Sequence, residues 1–230
     1  QLRIHGRRVL TATGYIDGKF VHGEGASFIV ENPSDESVVA ELTGVSAAQV
    51  DAALGAARRS FDSGVWSGLS MKERGATMRR YADALRKRAD KLKELAIAEA
   101  GCPVNSTVMG AQVHAPLRMT DDIVDMFLTL PEVQENPLPL NERVNPYFAV
   151  QSLKRWTPLG VISAISAYNV PFYTAFWKVV PALMAGDSVV LRPNPLTPIS
   201  AMIFAEAAEE AGLPAGVLNV LIEGGLDAGL

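Results

Sequence analysis

Three polar turns carry the side chains that are best placed to bind a ligand in this sequence. They cover 166–171, 192–198 and 223–229, and each follows a short apolar run. Such runs are typical of buried parallel strands, and ligands of parallel α/β sheets bind beside the carboxyl ends of the strands. None of the turns contains Gly-x-Gly-x-x-Gly before a helix, so the ordinary dinucleotide fingerprint is absent. The pattern predicts a cleft of nucleotide-binding type.

Nucleophilic and metal-binding side chains are scarce. The single cysteine, Cys102, lies at a predicted helix end with no adjacent histidine or lysine that would lower its pKa, so we interpret it as a structural residue. One cysteine excludes an intrachain disulfide framework. The three histidines are too far apart in sequence to suggest a metal-ligand motif. They are His5, His22 and His114. The sequence therefore predicts neither a metal site nor disulfide chemistry.

Strands and helices that would position the polar turns alternate in the last third of the chain. Apolar runs at 159–165, 188–191 and 217–222 are predicted strands, and 171–185 and 199–211 show helical spacing. This alternation indicates a βαβαβ unit with right-handed crossovers and a sheet buried on both faces. We predict an α/β fold with a Rossmann-like parallel sheet and flanking helices.

The first 130 residues contain hairpin and helix signals. Asp17-Gly18 lies between two β-forming runs and predicts a tight hairpin. Capping boxes at 46–49 and 70–73 each open an amphipathic helical pattern. The second pattern continues until Gly101, and a third helix is predicted over about 107–130 with a kink at its proline.

The helical period is lost between residues 131 and 157, where Asn-Pro turns separate short β-forming runs. We predict that 131–157 forms a β-hairpin or arm. It would interrupt an α/β fold built from 1–130 and 158–230.

Composition and charge exclude several classes of protein. Apolar residues make up 48% of the 230 residues, which argues against a disordered chain. The formal net charge of −4 is too mild to indicate a nucleic-acid partner. Apolar runs stay short of the ~18 residues of a membrane span, and residues 1–8 lack the apolar part of a signal peptide. We therefore expect a cytoplasmic protein with no nucleic-acid or membrane partner.

Longer motifs specify more than periodicity does. Thr-Pro-Leu-Gly-Val-Ile at 157–162 and Tyr-Asn-Val-Pro-Phe at 168–172 precede Trp177-Lys178, and further motifs follow at 181–193 and 210–220. In order and spacing these motifs resemble the aldehyde dehydrogenase superfamily. The resemblance implies an oxidoreductase that oxidises an aldehyde with NAD or NADP. The chemistry it implies is attack by a cysteine thiolate, hydride transfer to the nicotinamide, and hydrolysis of the thioester.

The resemblance also assigns roles to individual residues. Asn169 takes the position of the amide donor that stabilises the oxyanion, and the alternative is that it caps the following helix. Lys178 takes the position of a lysine for proton relay or orientation, and the alternative is a surface lysine whose stem packs on the helix. The implied cofactor-binding residues are Ser166, Ala167, Tyr168, Arg192, Asn194, Pro195, Gly225 and Gly229.

Two departures from the family pattern concern the cofactor. Arg192 replaces a lysine, and Pro195 replaces the carboxylate that would bind the ribose hydroxyls and repel a 2′-phosphate. With Arg192 able to pair with a phosphate, we expect NADP to be accepted at least comparably with NAD. A surface arginine at a strand end is the alternative for this residue. Four side chains are expected to line the substrate channel and to favour an apolar or aromatic aldehyde. They are Tyr168, Phe172, Tyr173 and Met126.

The resemblance covers the N-terminal half of the family's length. We therefore expect the general-base glutamate and the nucleophilic cysteine to lie beyond residue 230, and this chain alone to be inactive. It also implies that 1–130 and 158–230 form one cofactor-binding domain, and that the 131–157 arm joins a homo-oligomer, a dimer or tetramer. Two alternatives stay open, a non-catalytic cofactor-binding module and an interaction protein that assembles through the arm.

Overall fold

The structure, a computed structural model, describes residues 2–4, 7–9, 12–105, 107–139 and 149–224. The strands are β1 (Leu2–Ile4), β2 (Arg7–Val9), β3 (Gly14–Ile16), β4 (Lys19–Val21), β5 (Ser27–Glu31), β6 (Val38–Thr43), β7 (Val133–Asn136), β8 (Ser152–Arg155), β9 (Val161–Ile165), β10 (Ser188–Arg192) and β11 (Leu218–Leu221). The helices are α1 (Ala47–Ser63), α2 (Met71–Arg86), α3 (Ala89–Ala100), α4 (Thr107–Met109), α5 (Ala115–Thr129), α6 (Pro171–Ala185) and α7 (Met202–Ala211). Within the described residues, no helix is both long enough and apolar enough to cross a bilayer.

The central sheet has the strand order β4-β3-β11-β10-β9. β9, β10 and β11 are parallel neighbours with β10 in the middle, which confirms the three strands predicted from the apolar runs. Val189 and Leu191 of β10 belong to the main core with α6 and α7, whereas Val190 packs with Ala53 and Ala57 of α1. Helices therefore cover both faces of the sheet, and this explains why the three central residues of β10 are all apolar.

The predicted Asp17-Gly18 hairpin is present and extends the sheet. Asp17 has a φ of 50° and Gly18 a φ of 77°, and two positive φ angles are typical of a type I′ turn. β3 pairs antiparallel with β11, so the sheet is mixed rather than purely parallel. The turn is anchored because the Asp17 N–H donates to Oδ1 of buried Asn219 at 3.0 Å.

Replacing Gly18 by alanine is expected to destabilise the fold by ~1–2 kcal/mol, because an L residue at this positive φ is strained. The added Cβ would also lie 3.2 Å from Ala215 Cβ. Urea unfolding measures the change. The matched control is Gly55→Ala within α1, where helix propensity predicts a gain of ~0.5–1 kcal/mol. A Gly18→Ala protein as stable as the parent would show that the turn tolerates another geometry.

Both predicted capping boxes are present. Ser46 Oγ accepts from the Gln49 N–H at 3.3 Å, and Gln49 Oε1 accepts from the Ser46 N–H at 3.0 Å. Ser70 and Glu73 exchange the same pair of bonds at the start of α2. These local signals begin the helices where the sequence predicts.

The helical pattern expected from Ser70 to Gly101 is interrupted. α2 ends at Arg86, and Arg88 has a φ of −101° and a ψ of 11°, outside the helical region. The Arg88 guanidinium binds Glu206 and Glu210 of α7, so a contact between distant segments accompanies the break. The helix predicted over 107–130 is also irregular. It contains a π-helical turn, Gly110–His114, that ends two residues before Pro116, and this proline has no N–H to donate to the preceding turn.

The segment after α5 forms the predicted hairpin. β7 and β8 pair antiparallel, with Val133 opposite Arg155, in a two-stranded sheet separate from the central one. The connecting residues 140–148 lie outside the described residues. Val133, Leu153 and Trp156 are exposed along this hairpin, at 47%, 57% and 61%.

Candidate active site and cofactor edge

The three strands that precede the polar turns end at one edge of the central sheet. β9, β10 and β11 run parallel, so their carboxyl ends point to the same side of the molecule. The Ser166 N–H donates to the Arg192 carbonyl at 3.1 Å, and Thr197 Oγ1 donates to the Tyr168 carbonyl at 3.2 Å. The turns after β9 and β10 are therefore connected directly. Gly225 and Gly229 of the third turn lie outside the described residues.

Asn169 lies in the short connection between β9 and α6. Its side chain is exposed and has no hydrogen-bond partner within the described part of the chain. The N-cap of α6 is Val170, without a side-chain capping bond, so the expected alternative of Asn169 as a helix cap is not observed. The connection is held by Thr174, whose Oγ1 accepts from the Ala167 N–H at 3.3 Å. The backbone before Asn169 is therefore anchored, and both N–H donors of the Asn169 carboxamide are available.

Lys178 lies two turns further along α6. It is exposed beside Trp177, while Val179 and Val180 on the other side of the helix are fully buried. Among the described residues, no carboxylate forms an ion pair with Lys178. Its ammonium is therefore accessible, and its role in proton relay or orientation stays a prediction.

Arg192 does not stand alone at the edge. Its Nε donates to Oε2 of Glu223, the residue two positions beyond β11. Only 2% of the Glu223 side chain and 22% of the Arg192 side chain are exposed. Burial raises the pKa of Glu223, and the Arg192 cation opposes that rise. Neither an arginine free to bind phosphate nor a fully exposed surface arginine is observed.

Glu223 is the functional candidate that the sequence-based reasoning missed. The signal available was a carboxylate at the end of the third apolar run, at the same sheet edge as Arg192. Sequence alone does not show that the two side chains meet, because they are 31 residues apart. Parallel pairing of β10 with β11 brings them together.

Known proteins share this arrangement of sequence and fold. The model of the Aldehyde dehydrogenase family matches residues 20–230. The chain belongs to the aldehyde dehydrogenase family.

Individual relatives support the assignment along almost the whole chain. A protein of Schizosaccharomyces pombe named "Probable betaine aldehyde dehydrogenase" is 36% identical over 98% of this chain. The indole-3-acetaldehyde dehydrogenase AldA of P. syringae, solved as a cysteine-to-alanine mutant with NAD+ and IAA, is 32% identical over 98% of this chain, with a TM-score of 0.86. AldC of Pseudomonas syringae, solved with NAD+ and octanal, is 31% identical over 100%, with a TM-score of 0.83.

The chain spans less than half the length of these relatives. It spans 42% and 44% of the length of two curated relatives that it matches. It spans 43% of both the AldA and the AldC chains.

The residues at the sheet edge fit a dinucleotide cofactor. The Ser166 hydroxyl is buried at the end of β9 and has no hydrogen-bond partner within the described residues. A ribose or carboxamide group of a dinucleotide is chemically suited to satisfy it. Asn194 contributes differently, because its Oδ1 accepts from the Leu196 N–H at 3.0 Å and shapes the turn. Pro195 is half-buried in that turn.

The side chains expected to line an aldehyde channel separate into two groups. Phe172 is 3% exposed and stacks on Phe204 with ring centroids 4.8 Å apart, so its assignment to the channel is wrong and it belongs to the core. Tyr168 and Met126 are 56% and 52% exposed, and Tyr173 is half-buried against Trp177.

The only thiol of these 230 residues is poorly suited to nucleophilic attack. Cys102 is 3% exposed, and burial raises the pKa of its thiol above the ordinary value. The reactive form of a cysteine is the thiolate, so both features oppose reactivity. The structure therefore supports the structural interpretation of Cys102. Across the described residues, no three His, Cys, Asp or Glu side chains are grouped so that they could hold a metal ion.

Proposed function

We propose that this chain provides part of the machinery for NAD(P)-dependent oxidation of an aldehyde to a carboxylic acid. It supplies the sheet edge that binds the cofactor and the hydrogen-bond donor that stabilises the oxyanion. The observation that carries the proposal is the Asn169 carboxamide, exposed and without a partner among the described residues, at the edge formed by β9, β10 and β11. Its two N–H groups belong to a connection whose preceding backbone, at Ala167 and Tyr168, is held by hydrogen bonds with Thr174 and Thr197. Such a donor needs little reorganisation when negative charge develops nearby.

The reaction requires charge stabilisation at a carbonyl oxygen. When a thiolate adds to an aldehyde, negative charge develops on that oxygen, and Asn169 donates a hydrogen bond to it. The bound dinucleotide supplies the hydride acceptor. Ser166 and the neighbouring residues 167–168 hold the cofactor at the end of β9, and the accessible Lys178 orients groups or relays a proton. Since Cys102 is buried, the attacking thiolate comes from outside these 230 residues.

Titration of the 230-residue chain with NAD+ and NADP+, followed by calorimetry, tests the cofactor part of the proposal. We expect saturable binding of at least one dinucleotide. Ser166→Ala should weaken that binding, whereas Ser63→Ala, at the end of α1, should not change it. A chain that is folded by circular dichroism and binds neither dinucleotide would contradict the proposal. If such a chain still self-associates, the result favours an interaction protein.

The proposal includes self-association through the arm. It also includes a cytoplasmic setting, which fits a chain that has one cysteine and therefore no intrachain disulfide. Val133 and Leu153 expose apolar surface on one face of the hairpin, which is a sheet separate from the central one, and Trp156 is exposed on the other face. Exposed apolar patches of this kind are typical of protein interfaces.

Leu153→Ser is expected to weaken self-association about tenfold or more, since Leu153 is 57% exposed on β8 and would be buried in the dimer or tetramer. Size-exclusion chromatography with light scattering over a dilution series measures the change. Leu196→Ser is the control, because Leu196 is similarly exposed, at 61%, but lies in the turn after β10. Identical dilution behaviour of the two variants would argue against the arm as the interface.

A further inference from the structure

Arg192 and Glu223 form a buried ion pair at the point where β10 and β11 end. Arg192 is the last residue of β10, and its Nε donates to Glu223 Oε2. With 2% of its side chain exposed, Glu223 is shielded from solvent and cannot readily turn away to water. The ion pair holds the Glu223 carboxylate at the ends of the two strands and neutralises part of the charge of Arg192.

The position of this pair in the fold gives it a specific relation to a dinucleotide. β9, α6 and β10 form a βαβ unit, and Arg192 ends its second strand. In dinucleotide-binding βαβ units, the side chain near the end of the second strand determines what the site accepts at the 2′ position of the adenosine ribose. A carboxylate there accepts from the 2′-hydroxyl of NAD, whereas an arginine accommodates the 2′-phosphate of NADP. This edge has both, because the next strand supplies Glu223.

We infer that Glu223 makes this site select NAD over NADP, although Pro195 removes the carboxylate expected from the turn after β10. The inference rests on the proposed function, since it requires that a dinucleotide binds along this edge. The 2′-phosphate of NADP carries about −1.5 to −2 charges near neutral pH. Next to Glu223 it meets a carboxylate whose repulsion is weakly screened, because the carboxylate is buried.

The same pair limits what Arg192 offers to a phosphate. One face of its guanidinium is already engaged by Glu223, and part of its charge is neutralised there. An arginine binds phosphate most strongly when two N–H groups of its guanidinium are free to donate parallel hydrogen bonds. NAD carries no phosphate at this position, so it avoids the repulsion. The sequence-based expectation that NADP binds comparably with NAD treated Arg192 as unpaired, and the structure removes that premise.

The test compares dissociation constants for NAD+ and NADP+, measured by calorimetry at one salt concentration, for the 230-residue chain and for Glu223→Gln. We expect the parent chain to bind NAD+ more than tenfold tighter than NADP+. In Glu223→Gln the affinity for NADP+ should rise about tenfold, with the affinity for NAD+ changed about threefold or less. Comparable binding of the two dinucleotides by the parent chain, or an unchanged ratio in the variant, would overturn the inference.

Glu206→Gln is the matched control. Glu206 is also a shielded, ion-paired carboxylate, with 12% of its side chain exposed and partners Arg88 and Lys91, but it lies on α7. Its substitution should leave the NAD+ to NADP+ ratio unchanged. If Glu223→Gln does not fold, the parent chain is titrated with AMP and with adenosine 2′,5′-bisphosphate, which differ only in the 2′-phosphate. Tighter binding of the bisphosphate would overturn the inference. Binding of neither dinucleotide would contradict the proposed function instead.

Discussion

Asn169→Ala is expected to lower turnover about 10²–10³-fold in a catalytically competent protein that carries these residues, while the Kd for the dinucleotide changes little. The physical reason is that the Asn169 carboxamide has no other partner among the described residues and donates only to charge that develops in the transition state. Loss of such a donor costs ~3–4 kcal/mol of transition-state stabilisation. Steady-state kinetics together with cofactor titration measure both effects.

Two further variants show whether the effect is specific. Asn169→Asp is nearly isosteric but replaces the donor by a carboxylate that repels an oxyanion, so we expect it to lose at least as much activity as the alanine variant. Asn105→Ala is the control, because Asn105 is also an exposed asparagine that makes no side-chain hydrogen bond within the described residues. Unchanged turnover in Asn169→Ala would remove Asn169 from the mechanism. A parallel loss of cofactor binding would make it a cofactor contact.

The second large effect concerns Glu99, which links two distant helices. Its carboxylate is buried at the end of α3 and accepts from the Ile199 and Ser200 N–H groups at 2.7 and 2.9 Å, at the start of the turn that leads into α7. Burial raises the pKa of Glu99 from 4.5 to about 7, and these hydrogen bonds only partly oppose the rise. The folded protein therefore binds a proton that the unfolded chain releases near pH 4.5.

The direction of the pH dependence follows from this shift. Because the folded-state pKa lies above the unfolded one, the contribution of Glu99 to stability is fully present below about pH 4.5 and is lost as the pH rises to about 7. The loss amounts to ~3 kcal/mol, at ~1.4 kcal/mol for each pKa unit. Urea unfolding of the parent chain and of Glu99→Gln across this pH range measures the effect. The unfolding free energy of the parent minus that of the variant should fall by this amount as the pH rises.

A carboxylate on the same helix provides the control. Glu94 is exposed on α3, and the difference between the parent chain and Glu94→Gln should change far less with pH. If the difference for Glu99→Gln instead grows as the pH rises, the two backbone hydrogen bonds outweigh burial and keep the carboxylate ionised.

Local sequence signals predicted the elements of this fold well. The two capping boxes, the Asp17-Gly18 turn and the three apolar strands are present as expected, because each depends on residues within a few positions of one another. The break at Arg88 was not predictable in this way. Helical periodicity persists on both sides of it, and the residues that hold Arg88 lie on α7.

For the candidate site, sequence alone determined the family resemblance, the sheet edge and the exposed turn that carries Asn169. These follow from motifs and from the order of strands and helices, which are properties of consecutive residues. Only the tertiary structure decided that Phe172 belongs to the core, that Glu99 meets Ser200, and that Glu223 pairs with Arg192. The physical reason is that periodicity reports whether a side chain is buried but not which partner it meets, because that depends on how distant strands and helices pack.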